Sequence, residues 1–113
     1  MDDASVCYLT TRGRRTGRPH RIEIWFAAHN GRLYMLAGSR DGADWVRNVR
    51  ADGRVEVEIA GMVQSGVARV IEGEPDDPLA RRLLAAKYQG WREGAPLSDW
   101  ARTALPVAVD LAP

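Results

Sequence analysis

Alternation of apolar and polar residues runs through this chain and predicts a mainly β protein. Arg54-Val55-Glu56-Val57-Glu58-Ile59 alternates at every position, which places the valines and Ile59 on the inner face of a strand. Residues 20–28 alternate as well, with Ile22, Ile24 and Phe26 on one face and Arg21, Glu23 and Trp25 on the other. His29-Asn30-Gly31-Arg32 follows, and its Asn-Gly dipeptide suits a tight hairpin that returns through residues 33–37 as an antiparallel strand. Residues 5–11 are rich in β-formers, residues 62–71 follow an Ala60-Gly61 turn, and residues 105–111 supply a closing strand. Residues 1–4 are expected to fray.

Helical patterns interrupt the strands twice. Trp45, Val46 and Val49 fall at helical spacing, predicting a short helix capped by Asp41 or Asp44. Asp76, Asp77 and Pro78 open a longer one over about residues 79–88, where Leu79, Leu83, Leu84 and Tyr88 form a stripe and Gly90 stops it. Trp91, Pro96, Leu97 and Trp100 lie in an irregular or short helical stretch. The expectation is an α+β chain, mainly β: six antiparallel strands, five of them a meander with one helix inserted, closing a small barrel with two or three short helices.

Length and charge narrow this further. A chain of 113 residues makes one domain and one core. Formal net charge is only +1, so basic clusters are local and set against acidic stretches such as Glu72-Gly73-Glu74-Pro75-Asp76-Asp77. That balance argues against an extended duplex as partner. A single cysteine, Cys7, excludes an internal disulfide and reads as core packing, and His20 and His29 offer no metal-ligand spacing. With no signal peptide and no long apolar run, a soluble, cytoplasmic protein without a membrane span is expected.

The strongest chemical feature is Arg12-Gly13-Arg14-Arg15-Thr16-Gly17-Arg18-Pro19-His20-Arg21, where five arginines and a histidine fall within ten residues. Guanidinium forks and Gly-permitted main-chain N–H groups suit a phosphate or carboxylate. A solvated hairpin and a nucleic-acid contact remain alternative readings. Gly38 and Ser39, with the first turn of the helix after Asp41 or Asp44, form a second plausible anion cradle.

Leu9-Thr10-Thr11-Arg12-Gly13-Arg14-Arg15-Thr16-Gly17-Arg18-Pro19 resembles the opening signature of the deazaflavin (F420)-dependent nitroreductase and quinone reductase family, of the split β-barrel flavin-binding superfamily. The likeness continues through Leu36-Ala37-Gly38-Ser39-Arg40, Trp45-Val46-Arg47-Asn48-Val49-Arg50-Ala51 and Leu105-Pro106-Val107-Ala108-Val109, in the same order. It implies a split β-barrel that binds coenzyme F420, a deazaflavin with a phosphate and an oligoglutamate tail. By this resemblance Arg14, Arg15, Thr16, Gly17, Arg18 and His20 hold the phosphate, Gly38, Ser39 and Arg40 contact phosphate or deazaflavin, and Trp45 walls the site. His20 stands where many relatives have arginine, and Glu23 and Ile24 replace a more usual proline-containing stretch. The implied activity is hydride transfer from reduced F420 to a quinone, nitro compound or activated double bond. No catalytic side chain is assigned, because the cofactor carries the chemistry. Trp25, Tyr88, Trp91 and Trp100 are candidates for the acceptor pocket, with the Tyr88 phenol as the donor to a nitro or quinone oxygen. FMN is the rival cofactor, and a non-catalytic carrier of a flavin, deazaflavin or lipid is the rival function. Either a monomer or a homodimer is compatible with the sequence.

Overall fold

The strand patterns form a single antiparallel sheet of seven strands. A computed structural model describes residues 4–113. Of the stretch expected to fray, residues 1–3 lie outside the described residues, and Ala4 is half-buried against the core. In chain order the elements are β1 (Cys7–Arg12), β2 (Pro19–Ile24), β3 (Ala27–His29), β4 (Arg32–Ala37), a 3-10 turn (Arg40–Gly42), α1 (Asp44–Ala51), β5 (Arg54–Ile59), β6 (Met62–Val70), α2 (Asp77–Gln89), α3 (Asp99–Thr103) and β7 (Leu105–Leu111). The sheet order is β2-β1-β5-β6-β7-β4-β3.

The seventh strand corrects the expectation of six. Residues 20–28 do not make one strand, because their pairing partner changes midway: Ile24 pairs with Cys7 of β1, whereas Ala27 pairs with Tyr34 of β4. The strands on either side of Trp25-Phe26 therefore occupy opposite edges of the sheet. Only three peptide steps join Ile24 to Ala27, so the two edges approach within about 11 Å there. The sheet curls into a half-barrel. The meander is broken by the same change, since β1 pairs with β5 and β4 with β7.

Local turn chemistry behaves as the sequence predicts. Asn30 and Gly31 take φ of 51° and 77°, the geometry of a tight hairpin between β3 and β4. Gly90 ends α2 in the left-handed region at φ 65°. Neither expected aspartate caps α1; its N-cap is Ala43, without a side-chain bond, and Asp44 lies in the first turn, where its charge complements the helix dipole.

Two layers of core result. Inside the curl, Leu9, Phe26, Leu33, Met35, Val57, Val107 and Val109 are buried, and Val46 and Val49 of α1 are buried alongside. On the outer side of β4 and β7, Tyr34, Leu36 and Ala108 pack under Ala80 and Leu84 of α2. Burying each large aliphatic or aromatic side chain favours the fold by about 1.5–3 kcal/mol. Arg81 ties the helices together, pairing with Asp77 at 2.6 Å and donating to the carbonyls of Ala101, Arg102 and Ala104. No helix among the described residues is long and apolar enough to cross a membrane.

Candidate active site

The basic connection between β1 and β2 is a tight hairpin. Gly13 N–H donates to the Arg18 carbonyl at 2.8 Å, Gly17 N–H to the Gly13 carbonyl at 2.8 Å, and the Arg18 N–H to Thr16 Oγ1 at 3.2 Å. Gly17 sits at φ 73°, where a side chain would strain the backbone. A Cβ on Gly13 would come within 2.8 Å of His20 Nε2, so the imidazole lies against the hairpin backbone.

A residue that sequence reasoning missed holds this hairpin. Asn48 of α1 is 1% exposed; its Nδ2 donates to the buried Thr11 hydroxyl at 3.1 Å. Its Oδ1 accepts from the Arg14 backbone N–H at 3.2 Å and from Arg14 Nη1 at 2.9 Å. Arg14 Nη2 reaches Asp44 at 3.2 Å. Arg14 is thus turned onto α1. Arg15 and Arg18, by contrast, are exposed and, among the described residues, their guanidiniums make no hydrogen bond or ion pair. Arg12, Gly17 and Pro19 also border a groove of about 550 Å³, along with Arg54 and Glu56.

At the other end of β2, the bend at Trp25-Phe26 opens a cavity of about 480 Å³ with apolar walls from Val6, Ile24, Trp25, Leu36 and Trp100 and polar groups from Glu23 and Gln89. Trp25 stacks flat on Tyr88 with ring centroids 4.3 Å apart and meets Trp100 edge-on at 5.4 Å. It is 42% exposed, so part of its indole remains open to a ligand. Three of the four expected pocket aromatics therefore cluster. Trp91 stands apart, its Nε1 donating to the Ala95 carbonyl at 2.7 Å within its own loop.

The Tyr88 hydroxyl is engaged by backbone. It accepts from the Phe26 N–H at 3.1 Å and lies 2.8 Å from the Ser5 carbonyl and 3.0 Å from the Phe26 carbonyl, to one of which it donates. Lys87 Nζ donates to the same Phe26 carbonyl at 2.9 Å. These groups replace the ladder bonds that the bend removes. Burial pushes the Tyr88 phenol above its usual pKa, which keeps the proton in place. Burial likewise raises the Cys7 thiol to about 11, so Cys7 is an inert core residue.

The second expected cradle is rearranged. Arg40 pairs through Nη2 with both Glu72 oxygens, at 2.6 and 2.5 Å, and donates through Nη1 to the Thr103 carbonyl at 2.6 Å. Its fork anchors the loop after β4 to the α2–α3 side of the molecule. Gly38 and Ser39 are exposed, and a Cβ on Gly38 would touch the Trp100 indole at 3.4 Å, so this loop adjoins the aromatic cavity. Trp45 is half-buried between α1 and the inner core.

Residues 1–112 match the F420H(2)-dependent quinone reductase family. The chain belongs to this family. An F420H2-dependent reductase of this kind is an enzyme whose cofactor is coenzyme F420. Among solved structures, a conserved hypothetical protein from Mycobacterium tuberculosis is similar at TM-score 0.74 and 19% identity, over 99% of this chain and 76% of that one. An F420-H2 dependent reductase is similar at TM-score 0.69 and 23% identity, over 96% and 94% of the two chains. A FAD-binding protein from Mesorhizobium loti is similar at TM-score 0.66 and 18% identity, over 99% and 84%. These likenesses show that the chain shares its overall fold with those structures.

The donor set of the F420H2-dependent reductase fits its cofactor. Arg15 and Arg18 are two forked cations that have no protein partner among the described residues, suited to phosphate and carboxylate groups. Pro19 and Ile24 are five residues apart on β2, or about 16 Å, so the hairpin and the aromatic cavity can serve one ligand only if it is long. Among the described residues no cluster of three metal-ligating side chains occurs.

Proposed function

We propose that this reductase binds reduced coenzyme F420 with its anionic tail on the β1–β2 hairpin, and reduces a quinone, nitro compound or activated double bond held in the Trp25/Trp100 cavity. The observation that carries this reading is the pair of guanidiniums, Arg15 and Arg18, that have no partner among the described residues, at one end of a strand whose other end opens an apolar aromatic cavity. When bound, reduced F420 supplies the hydride.

The chain's own residues bind, orient and exclude water. Arg15 and Arg18 grip negative groups, with Thr16, Gly17 and His20 shaping the hairpin around them. Asn48 and Asp44 fix Arg14 so that the hairpin keeps one conformation, and Arg40 acts in the same way on the Gly38-Ser39 loop through Glu72. Trp45 closes the inner side. Trp25 and Trp100 give the acceptor an apolar platform that keeps the reacting centres dry. Tyr88 supports the platform from beneath. Trp91 lies outside the ring cluster and acts, in this reading, on the loop that borders it.

The test is a titration of wild type and the Arg15→Ala/Arg18→Ala double variant with F420, and separately with FMN, followed by tryptophan quenching. Each charge-assisted contact is worth about 1.5–3 kcal/mol, so the variant, which lacks two, should bind F420 about two to four orders of magnitude more weakly, with an almost unchanged melting temperature. Unchanged F420 affinity would overturn the reading, and a collapse in melting temperature would make the arginines structural. Preference for FMN would replace the cofactor.

A further inference from the structure

We propose that Glu23 is a specificity-determining residue that disfavours anionic acceptors and admits neutral or cationic planar ones. The inference rests on the reading of the Trp25/Trp100 cavity as the acceptor site. Five of the side chains lining that cavity are apolar, and of the remaining two, Glu23 and Gln89, only Glu23 carries a charge. Its nearest polar contact is the Tyr8 hydroxyl, which donates to Oε1 at 3.3 Å. Arg21, two residues away on the same face of β2, is engaged elsewhere: its guanidinium lies over the Tyr8 ring at 3.9 Å and pairs with Glu58 at 3.5 Å. Among the described residues no cation pairs with Glu23, so its carboxylate presents an uncompensated negative charge at the mouth of an apolar slot.

The physical consequence is discrimination by charge with little effect on neutral ligands. An acceptor ring gains its affinity from apolar walls and the open part of Trp25, which Glu23 does not touch chemically. A sulfonate or carboxylate on the same ring meets repulsion as it enters. At an exposed rim such a charge changes affinity by about two- to fivefold, and by more where the bound ring expels water. The same charge attracts a cationic substituent. The hairpin arginines and Glu23 lie at opposite ends of β2, so the molecule separates an anion-favouring end for the cofactor tail from an anion-disfavouring end for the acceptor.

The experiment uses a matched pair of probes, 1,4-naphthoquinone and its 2-sulfonate, titrated into the full chain without cofactor and followed by tryptophan quenching. Wild type, Glu23→Gln and Glu23→Lys are compared. Glu23→Gln should raise sulfonate affinity by about two- to fivefold and leave the neutral quinone within experimental scatter, and Glu23→Lys should go further in the same direction. With reduced F420 as donor, the same ratio should appear in KM for the two quinones while kcat stays nearly constant. An unchanged sulfonate-to-neutral ratio in both variants overturns the proposal, as does failure of both quinones to quench. Charge-dependent binding without turnover would sink the reading of the cavity as the site of quinone reduction and leave the role of Glu23 in binding standing. Turnover with equal KM ratios in all three proteins would do the reverse.

Discussion

Replacing Tyr88 with phenylalanine separates two roles for the one residue, a proton donor to the acceptor or a support for the chain. The substitution keeps the ring, and with it the flat stack on Trp25 at 4.3 Å, which is worth about 0.5–1.5 kcal/mol. It removes one hydroxyl that accepts from the Phe26 N–H at 3.1 Å and donates to the Ser5 or Phe26 carbonyl. Phe26 is 0% exposed, so its N–H is left without a partner, at a cost of about 1–3 kcal/mol. The Phe26 carbonyl keeps the Lys87 ammonium at 2.9 Å and adds little to the loss. Total destabilisation should be about 1.5–3 kcal/mol, or a fall in melting temperature of roughly 5–15 °C for a domain of this size. Urea unfolding should show the lower midpoint with an unchanged slope, because the surface exposed on unfolding is the same. At a temperature where both proteins are folded, kcat/KM with reduced F420 should stay within about threefold of wild type. A variant with wild-type stability and a large loss in kcat would refute this reasoning and return the phenol to the acceptor.

Two further outcomes follow from the hairpin and its surroundings. Asn48→Ala removes the amide shared by Thr11 and Arg14 and should destabilise by about 2–3 kcal/mol while weakening F420 binding; urea melts and quenching titrations check both, and loss of neither would mean that Arg14 holds the hairpin alone. The Arg54 guanidinium and backbone N–H hold the Asp52 carboxyl down at about 2, below its usual 3.8. A depressed carboxylate adds stability that is fully present above about pH 4 and is lost as pH falls toward 2. Melting curves of wild type and Asp52→Asn should therefore converge over that window, and a gap that persists at pH 2 would show that titration is not its source.

Features set by local chemistry were legible from residues alone. The alternation of Arg54–Ile59, the Asn30-Gly31 turn and the Pro78 to Gly90 span of α2 each depend on neighbours within a few positions. The break at Trp25-Phe26 was not legible, because both residues favour strands and only the distant partners Cys7 and Tyr34 pull the chain apart there. The same division holds for the candidate site. Arginine content marked the hairpin, but which guanidiniums stay free was decided by Asn48, Asp44 and Glu72, all remote in sequence. Asn48 itself gave no signal beyond a polar residue in a short helix. Trp25, Tyr88 and Trp100 carried no shared pattern, and their meeting follows from the curl of the sheet.

The bend that splits the second strand also ties ligand binding to the completion of folding. Trp25 reaches Tyr88 and Trp100 only after residues near position 9 have paired with those near 57 and residues near 33 with those near 109. Such pairings close long loops and are slow to form. Hairpins can assemble early, yet the cavity does not exist until both edges of the sheet have come round to meet at Ile24 and Ala27. A molecule bound across that seam is a staple between the first and last parts of the sheet to join. Its affinity is therefore felt as stability of the whole domain, and tight acceptor or cofactor binding should slow global unfolding rather than the fraying of one loop.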